Sequence, residues 1–172
     1  MKWKDKILKK LINDFKNDAQ WITYIEKIQN ENSDIAIHLA IFSEPLLQKL
    51  MTGAKVLESR FSVNKISPFG KIRPGDIVVV KKTGGPIVAA FISGIVYCEA
   101  NLTPDMIEDM KFKHSKNLGL STDDVFWGKK IHSKYATLIN ITNLKELSPY
   151  SIEKKDRIGW VVVKPHKEAT FL

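Results

Sequence analysis

The residues best able to bind a ligand or catalyse a reaction lie in one segment of this chain. It spans residues 53–60 and reads GAKVLESR. The segment places Lys55, Glu58 and Arg60 within six positions, where a helix is expected to end at Gly53 and a strand to begin. Glu58 and Arg60 point to the same side of a strand, because strand side chains alternate with a period of two. A guanidinium can bind a phosphate or a base edge through two parallel hydrogen bonds. The three side chains are therefore a candidate ligand site.

Two interpretations of this segment stay open. In the first, Lys55 neutralises a phosphate or acts as a general base, and Glu58 orients Arg60 or binds an exocyclic amine. Lys55 and Glu58 are then the candidate catalytic residues, and Lys55 is expected to be a solvated cation that contributes little to stability. In the second, Glu58 and Arg60 form a structural ion pair that only stabilises this corner of the fold.

Other candidate binding residues lie outside the segment. Lys81 and Lys82 precede a Gly-Gly turn whose backbone amides can meet a phosphate, although the order of a Walker loop is absent and a solvated hairpin tip explains the same residues. Arg73 extends the basic surface. Trp127 and Lys129 are further candidates, since Trp127 is the aromatic residue best placed to stack on a base, although core packing is the favoured interpretation of each aromatic side chain.

The charge of the chain favours a polyanionic partner. The 172 residues carry a formal net charge of +8. Residues 55–82 contain seven basic and two acidic residues, and residues 129–172 contain nine and four. A basic surface raises the local concentration of polyanions, so RNA or a nucleotide is the first partner to test. Lysines that only maintain solubility are the alternative explanation.

Several classes of protein and site are not expected from this composition. No apolar run approaches the roughly 20 residues that span a bilayer. The basic start is followed by a regularly charged helix pattern, which is not typical of a signal peptide. A single cysteine, Cys98, permits no internal disulfide and no thiolate zinc site, and it is typical of a reducing cytoplasm. The four histidines lack metal-ligand spacing. We therefore expect a cytoplasmic protein with no metal and no cofactor.

The chain divides into two parts. Residues 1–33 predict a helical extension, with apolar residues at helical spacing around Leu11 and again around Ile25. The polar stretch 30–34 marks a boundary, and residues 34–172 form the second domain. Two short helices cannot bury both of their apolar faces alone. They are expected to pack either on the second domain or on another copy, which would make a homodimer.

The second domain reads as strands with helices inserted at the rim. Alternation from Ile35 predicts a strand, and residues 44–52 predict a short helix. Thr103 and Pro104 begin another helix, and a polar stretch that includes Asp124 begins a further one. The remaining strands are expected at residues 77–80, 87–97 with a bend at Gly94, 135–141 and 159–163. This order predicts an α+β fold built on a small mixed β-barrel.

The same features resemble a known family. The pattern Gly-x-Lys-x-x-Glu-x-Arg is similar to the signature of ASCH domains, whose barrel is similar to the RNA-binding PUA domain. Further similarity comes from the turn at residues 74–76, the long strand interrupted by Gly94, a late strand near Tyr135 and the closing Arg157-Ile158-Gly159-Trp160. The resemblance covers about residues 36–164. It implies a PUA-like barrel with a cleft for nucleic acid or a nucleoside at the motif.

The resemblance implies more than one function. An RNA- or nucleotide-binding module is the leading hypothesis. The alternative is a hydrolase of the same family, either a single-strand ribonuclease or a nucleoside amidohydrolase. The amidohydrolases have a threonine nucleophile three residues after the motif lysine, where this chain has Glu58. A second alternative is a protein-interaction scaffold that acts through its N-terminal helices.

Overall fold

The computed structural model describes residues 2–30 and 33–167. These residues form five helices and six strands. In chain order they are α1 (Trp3–Phe15), α2 (Ile22–Gln29), β1 (Ile37–Phe42), α3 (Leu46–Met51), β2 (Leu57–Ser62), β3 (Ile77–Lys82), β4 (Ile87–Ala100), α4 (Pro104–Leu118), α5 (Val125–Lys130), β5 (Tyr135–Tyr150) and β6 (Trp160–Lys164).

The six strands form one mixed sheet that curls into a half-barrel. The strand order is β2-β5-β4-β3-β1-β6, so β2 and β6 are its two edges. β1 pairs with β3 in parallel, and the other neighbours are antiparallel. The predicted α+β fold, a small mixed barrel with helices at its rim, is confirmed.

Register shifts in the two longest strands allow the sheet to curl. The β4–β5 ladder shifts between Ser93 and Val96, at the position of Gly94. A Cβ at Gly94 would lie 3.0 Å from the Thr142 side chain and 3.1 Å from that of Asn140. A larger residue would therefore need these neighbours to shift by a few tenths of an ångström, which favours glycine at the predicted bend.

Local signals set the helix boundaries next to the motif. Gly53 ends α3 with a φ of +81°, a conformation that L-residues other than glycine rarely adopt. At α4, the Thr103 side chain accepts a hydrogen bond from the Met106 amide, and Pro104 occupies the first turn. α4 ends at Gly119, which has a φ of +73°, so the two glycines fix where the chain turns into β2 and where α4 ends beside it.

The N-terminal helices pack on one face of the curled sheet. Their buried side chains share a cluster with residues of β1, β3 and β4; the members from α1, α2 and the turn between them are Ile7, Leu11, Phe15, Trp21, Ile25 and Ile28. Lys145 of β5 pairs with Asp18 at 2.6 Å, and Lys6 Nζ donates to the Ser151 carbonyl at 2.7 Å. The apolar faces of α1 and α2 are thus covered within the chain, and a homodimer through them stays a prediction.

The division at residue 33 also stays a prediction. Glu31 and Asn32 of the predicted boundary, Met1, and residues 168–172 of the predicted second domain lie outside the described residues. No helix in the described part of the chain is both long and apolar enough to cross a bilayer.

Two further clusters frame the motif strand. One lies between α3 and the sheet and includes Phe42, Leu50, Phe91 and Trp160. The other lies under α4 and α5. β2 runs between them, with Leu57 in the cluster under α4 and with Glu58 and Arg60 directed to the opposite side.

Candidate functional site

Lys55 lies in the corner between α3 and the end of α4. Its backbone amide donates to the Lys49 carbonyl at 2.9 Å, and the next amide donates to Asn117 of α4. The side chain is only 3% exposed, and Nζ donates to the Leu57 carbonyl at 2.8 Å. The sequence analysis expected a solvated cation here. That expectation was wrong, because the end of α4 covers the corner.

Glu58 lies between two cations. One carboxylate oxygen is 3.1 Å from Lys55 Nζ, and the other accepts from Arg60 Nε at 2.6 Å. Burial disfavours the charged carboxylate and raises the pKa of Glu58, but the charges of Lys55 and Arg60 outweigh burial and leave the pKa below its ordinary value. The carboxylate is therefore ionised at neutral pH and holds the three side chains together.

This arrangement predicts a pH dependence of stability. A carboxyl whose pKa is lower in the folded state contributes stability above its unfolded pKa, which is 4.5 for Glu58. The contribution is lost as the pH falls from there through the lowered pKa. We expect the difference in unfolding free energy between the wild type and Glu58→Gln to shrink below about pH 4.5. Urea unfolding of both proteins between pH 7 and pH 3 measures this difference in unfolding free energy. A difference that stays constant over this range would contradict the prediction.

Arg60 joins two edges of the half-barrel. Nη1 donates to the Gly159 carbonyl at 3.2 Å, just before β6, and Nη2 donates to the Ile41 carbonyl of β1 at 2.9 Å. The guanidinium also lies 5.4 Å from the centre of the Phe42 ring and 5.2 Å from that of Trp160. Arg60 therefore bridges the open side of the sheet from edge strand β2, in addition to its bond with Glu58.

A cavity of about 620 Å³ opens beside these side chains. This volume falls within the range of ordinary small-molecule sites, about 300–1,000 Å³. Phe42, Phe61 and Phe126 supply aromatic surface. The charged lining residues are five cations (Lys49, Lys55, Arg60, Lys129 and Lys130) and three carboxylates (Glu44, Glu58 and Asp124). The excess of positive charge suits an anionic ligand.

Lys129 and Lys130 at the end of α5 are the available cations of this cavity. Neither forms an ion pair with any residue that the structure describes, and Lys129 is exposed. Lys130 Nζ lies 5.1 Å from the centre of the Phe126 ring. Burial lowers the pKa of Lys130, and the nearby charges of Arg60 and Lys129 lower it further. The sequence analysis singled out Lys129 but not Lys130.

The local structure of α5 explains how these lysines reach the cavity. Asp124 begins the helix, and its carboxylate accepts from the Phe126 amide at 2.8 Å. Trp127 points the other way and is only 4% exposed, in edge-to-face contact with Phe61 and Phe126. Trp127 fills the cluster under α4, so the core-packing interpretation is confirmed and the candidacy of Trp127 for base stacking was wrong.

The other predicted binding residues lie apart from the motif. Lys81 Nζ donates to the Gly85 carbonyl at 2.6 Å, within its own hairpin. Lys82 lies at the rim, 3.8 Å from Glu44, which lines the cavity. Arg73 is exposed in the turn before β3 and is not among the cavity-lining residues that the structure describes. The structure thus brings Lys55, Glu58, Arg60 and Lys129 together around one cavity.

A buried polar network supports the site from within the barrel. Trp160 Nε1 donates to His38 Nδ1 at 3.1 Å. His38 therefore carries its proton on Nε2, which donates to Asp76 at 3.1 Å. His38 is thus a buried histidine of β1 whose two ring nitrogens are both hydrogen-bonded. Since Trp160 also contacts Arg60, this network fixes one wall against which the guanidinium packs.

The donor set does not point to metal chemistry. Within residues 2–30 and 33–167, no group of three or more His, Cys, Asp or Glu side chains could hold a metal ion. The carboxylates of the cavity are paired with cations or cap a helix.

Comparison by sequence finds no match to a family model and no match among curated proteins. Comparison by structure does find similar proteins. An ASCH protein from Zymomonas mobilis superimposes with a TM-score of 0.57 at 7% identity, over 73% of this chain and 86% of the other. A single-substitution variant of that protein gives 0.58 at 8% identity, over 75% and 89%. Similarity at this level of identity shows the fold alone. The chain therefore has the fold of an ASCH domain.

Proposed function

We propose that this protein is an ASCH-type module that binds RNA or a nucleotide in the cavity beside β2. The observation that carries the proposal is the cavity itself, which combines an excess of cations with aromatic surface at its rim. A nucleotide needs both, because its phosphate requires positive charge and its base requires an apolar or π surface.

The roles of the side chains follow from their contacts. Lys129 and Lys130 are suited to the phosphate, since neither is held by a carboxylate among the described residues. The Phe126 ring beside Lys130 is suited to the base. Lys55, Glu58 and Arg60 form the back wall and set its charge, and both oxygens of the buried Glu58 carboxylate are already held by the two cations. In this proposal the motif positions the site, and α5 supplies its first contacts.

The proposal predicts how binding changes when the two lysines at the end of α5 lose their positive charge. Lys129→Gln/Lys130→Gln should weaken binding of a uridine mononucleotide and of single-stranded RNA, because two phosphate contacts are lost. The log–log salt slope for RNA should fall in magnitude by about 1.4, from roughly 0.7 per phosphate contact on a single strand. Fluorescence titrations at several salt concentrations measure both quantities.

A matched control uses two exposed lysines near the N-terminus. Lys9→Gln/Lys16→Gln changes the net charge equally, in α1 and directly after it, and neither residue lines the cavity. If both double variants bind RNA equally, the cavity is not the site. If the wild type binds neither the mononucleotide nor RNA at low salt, the proposed function is wrong.

A hydrolase is the second candidate, favoured by one observation. Lys130 is an amine with a lowered pKa in a cavity that suits a nucleotide, which is how general bases are often prepared. Resolving the titrated RNA by length afterwards distinguishes the two functions. Intact RNA supports a binding module, and fragments that disappear with Lys130→Gln support a ribonuclease.

A further inference from the structure

A second concave surface lies between the two edges of the sheet. We call it the seam groove; its volume is about 920 Å³. Arg60, Phe61 and Ser62 of β2 line one side, and Trp160, Val161 and Val162 of β6 line the other. The segment after β2 forms a further wall. The seam groove thus occupies the gap that remains because the half-barrel does not close.

The charge of the seam groove has one sign. Its lining includes Arg60, Lys65, Lys71 and Arg157, and none of its lining residues in the part of the chain that the structure describes is an aspartate or a glutamate. Lys65, Lys71 and Arg157 are all exposed. Cations lining a groove without carboxylates attract a polyanion along its length.

The seam groove also offers surface for unpaired bases. Ile66 and Ile158 are 59% and 58% exposed, and both line the seam groove, so they present apolar surface to it. Phe69 is half-buried, packs edge-on against Tyr135 at 5.0 Å, and lies 5.9 Å from Lys65 Nζ. Alternating cations and apolar side chains are the pattern with which proteins hold single-stranded nucleic acid.

The seam groove adjoins the proposed nucleotide cavity. Arg60 and Phe61 line both, so a chain that leaves the cavity passes over them into the groove. We infer that the seam groove holds the nucleotides that flank the one in the cavity, which makes single-stranded RNA of several nucleotides the ligand. This inference rests on the proposed function and deepens it.

The test compares a mononucleotide with an octamer. Lys65→Gln/Lys71→Gln/Arg157→Gln should leave binding of a uridine mononucleotide unchanged. Binding of an eight-residue oligouridylate should weaken, and its log–log salt slope should fall in magnitude by about 2, from roughly 0.7 for each of three contacts. Lys9→Gln/Lys16→Gln/Lys27→Gln removes the same charge from three exposed positions in the N-terminal helical region and should change binding of neither ligand. Thermal unfolding confirms that both triple variants are folded.

A second variant tests the stacking surface. Phe69→Leu keeps apolar contact with Tyr135 but removes the ring face. It should weaken octamer binding by about 5- to 150-fold, the range that the loss of one stacked base produces. Mononucleotide binding should again stay unchanged.

The outcomes separate the two proposals. The inference is wrong, and the proposed function stands, if the mononucleotide binds but the octamer binds no tighter than the mononucleotide. The same conclusion follows if the groove variants bind the octamer as tightly as the wild type does. If neither ligand binds, the proposed function itself fails. If an acidic peptide binds and the groove triple variant abolishes that binding while octamer binding is unaffected, the groove is a peptide site and the inference is overturned.

Discussion

Glu58→Gln should lower the free energy of unfolding by about 3–5 kcal/mol, the usual effect of removing one partner from a buried ion pair. The carboxylate is 4% exposed and touches both Lys55 and Arg60. The glutamine amide can still accept one hydrogen bond, but it carries no charge to balance Lys55. Lys55 is nearly inaccessible to solvent, so it would stay buried without a counter-ion.

A double variant shows whether the stranded lysine is the cause. Lys55→Met/Glu58→Gln removes the buried cation as well and should recover most of the loss, because uncharged side chains of similar volume often replace a buried pair at little cost. Glu153→Gln, at an exposed position, serves as the matched control and should change stability by less than about 0.5 kcal/mol. Urea unfolding at pH 7 measures all three. A loss below about 1 kcal/mol for Glu58→Gln would contradict a buried pair.

Asp76→Ala should also be severely destabilising. The side chain is 1% exposed. One carboxylate oxygen accepts hydrogen bonds from the Ala36 amide at 3.0 Å and from His166 at 2.8 Å. The other oxygen accepts from the Arg73 amide at 2.8 Å and from the His38 ring. The donors of Ala36 and His38 are fully buried. Leaving each unsatisfied costs about 1–3 kcal/mol, which predicts a total loss of about 2–6 kcal/mol.

The matched control for Asp76 lies at the same end of the sheet. Asp34 is exposed, and Asp34→Ala should change the free energy of unfolding by less than about 0.5 kcal/mol. The loss in unfolding free energy for Asp76→Asn should lie between those for Asp76→Ala and Asp34→Ala, since one oxygen remains as an acceptor. Equal losses for Asp76→Ala and Asp34→Ala would show that the network contributes nothing to stability.

Much of the fold was predictable because its signals are local. The helical spacing in α1, the glycine that ends α3 and the cap of α4 each act within a few residues, and all were identified. The end of β5 was not identified. Its second half, which includes Lys145 and Glu146, is polar, and it is a strand only because β4 pairs with it. Pairing between distant segments leaves no local pattern in the sequence.

The site shows the same division. The motif was recognised from spacing, and the contact between Glu58 and Arg60 follows from strand alternation. The burial of Lys55 depends on α4, more than 60 residues away, and the other partners of Arg60 are the backbone carbonyls of Ile41 and Gly159. A carbonyl is present at every residue, so sequence patterns do not indicate which one accepts. Lys130 was missed because its burial depends on packing that no sequence pattern records.

If an anion binds at Arg60, the position of this side chain couples that binding to the contact between the two edges of the half-barrel. Its guanidinium holds β2 to the segment before β6, and the same group lies between the cavity and the seam groove. An anion that withdraws Arg60 from Gly159 must release that edge, and part of its binding energy is then spent on opening the sheet. Thermodynamic linkage is reciprocal. Any partner that holds β2 and β6 together will therefore lower the affinity for such a ligand. The ligand will lower the affinity for that partner by the same factor.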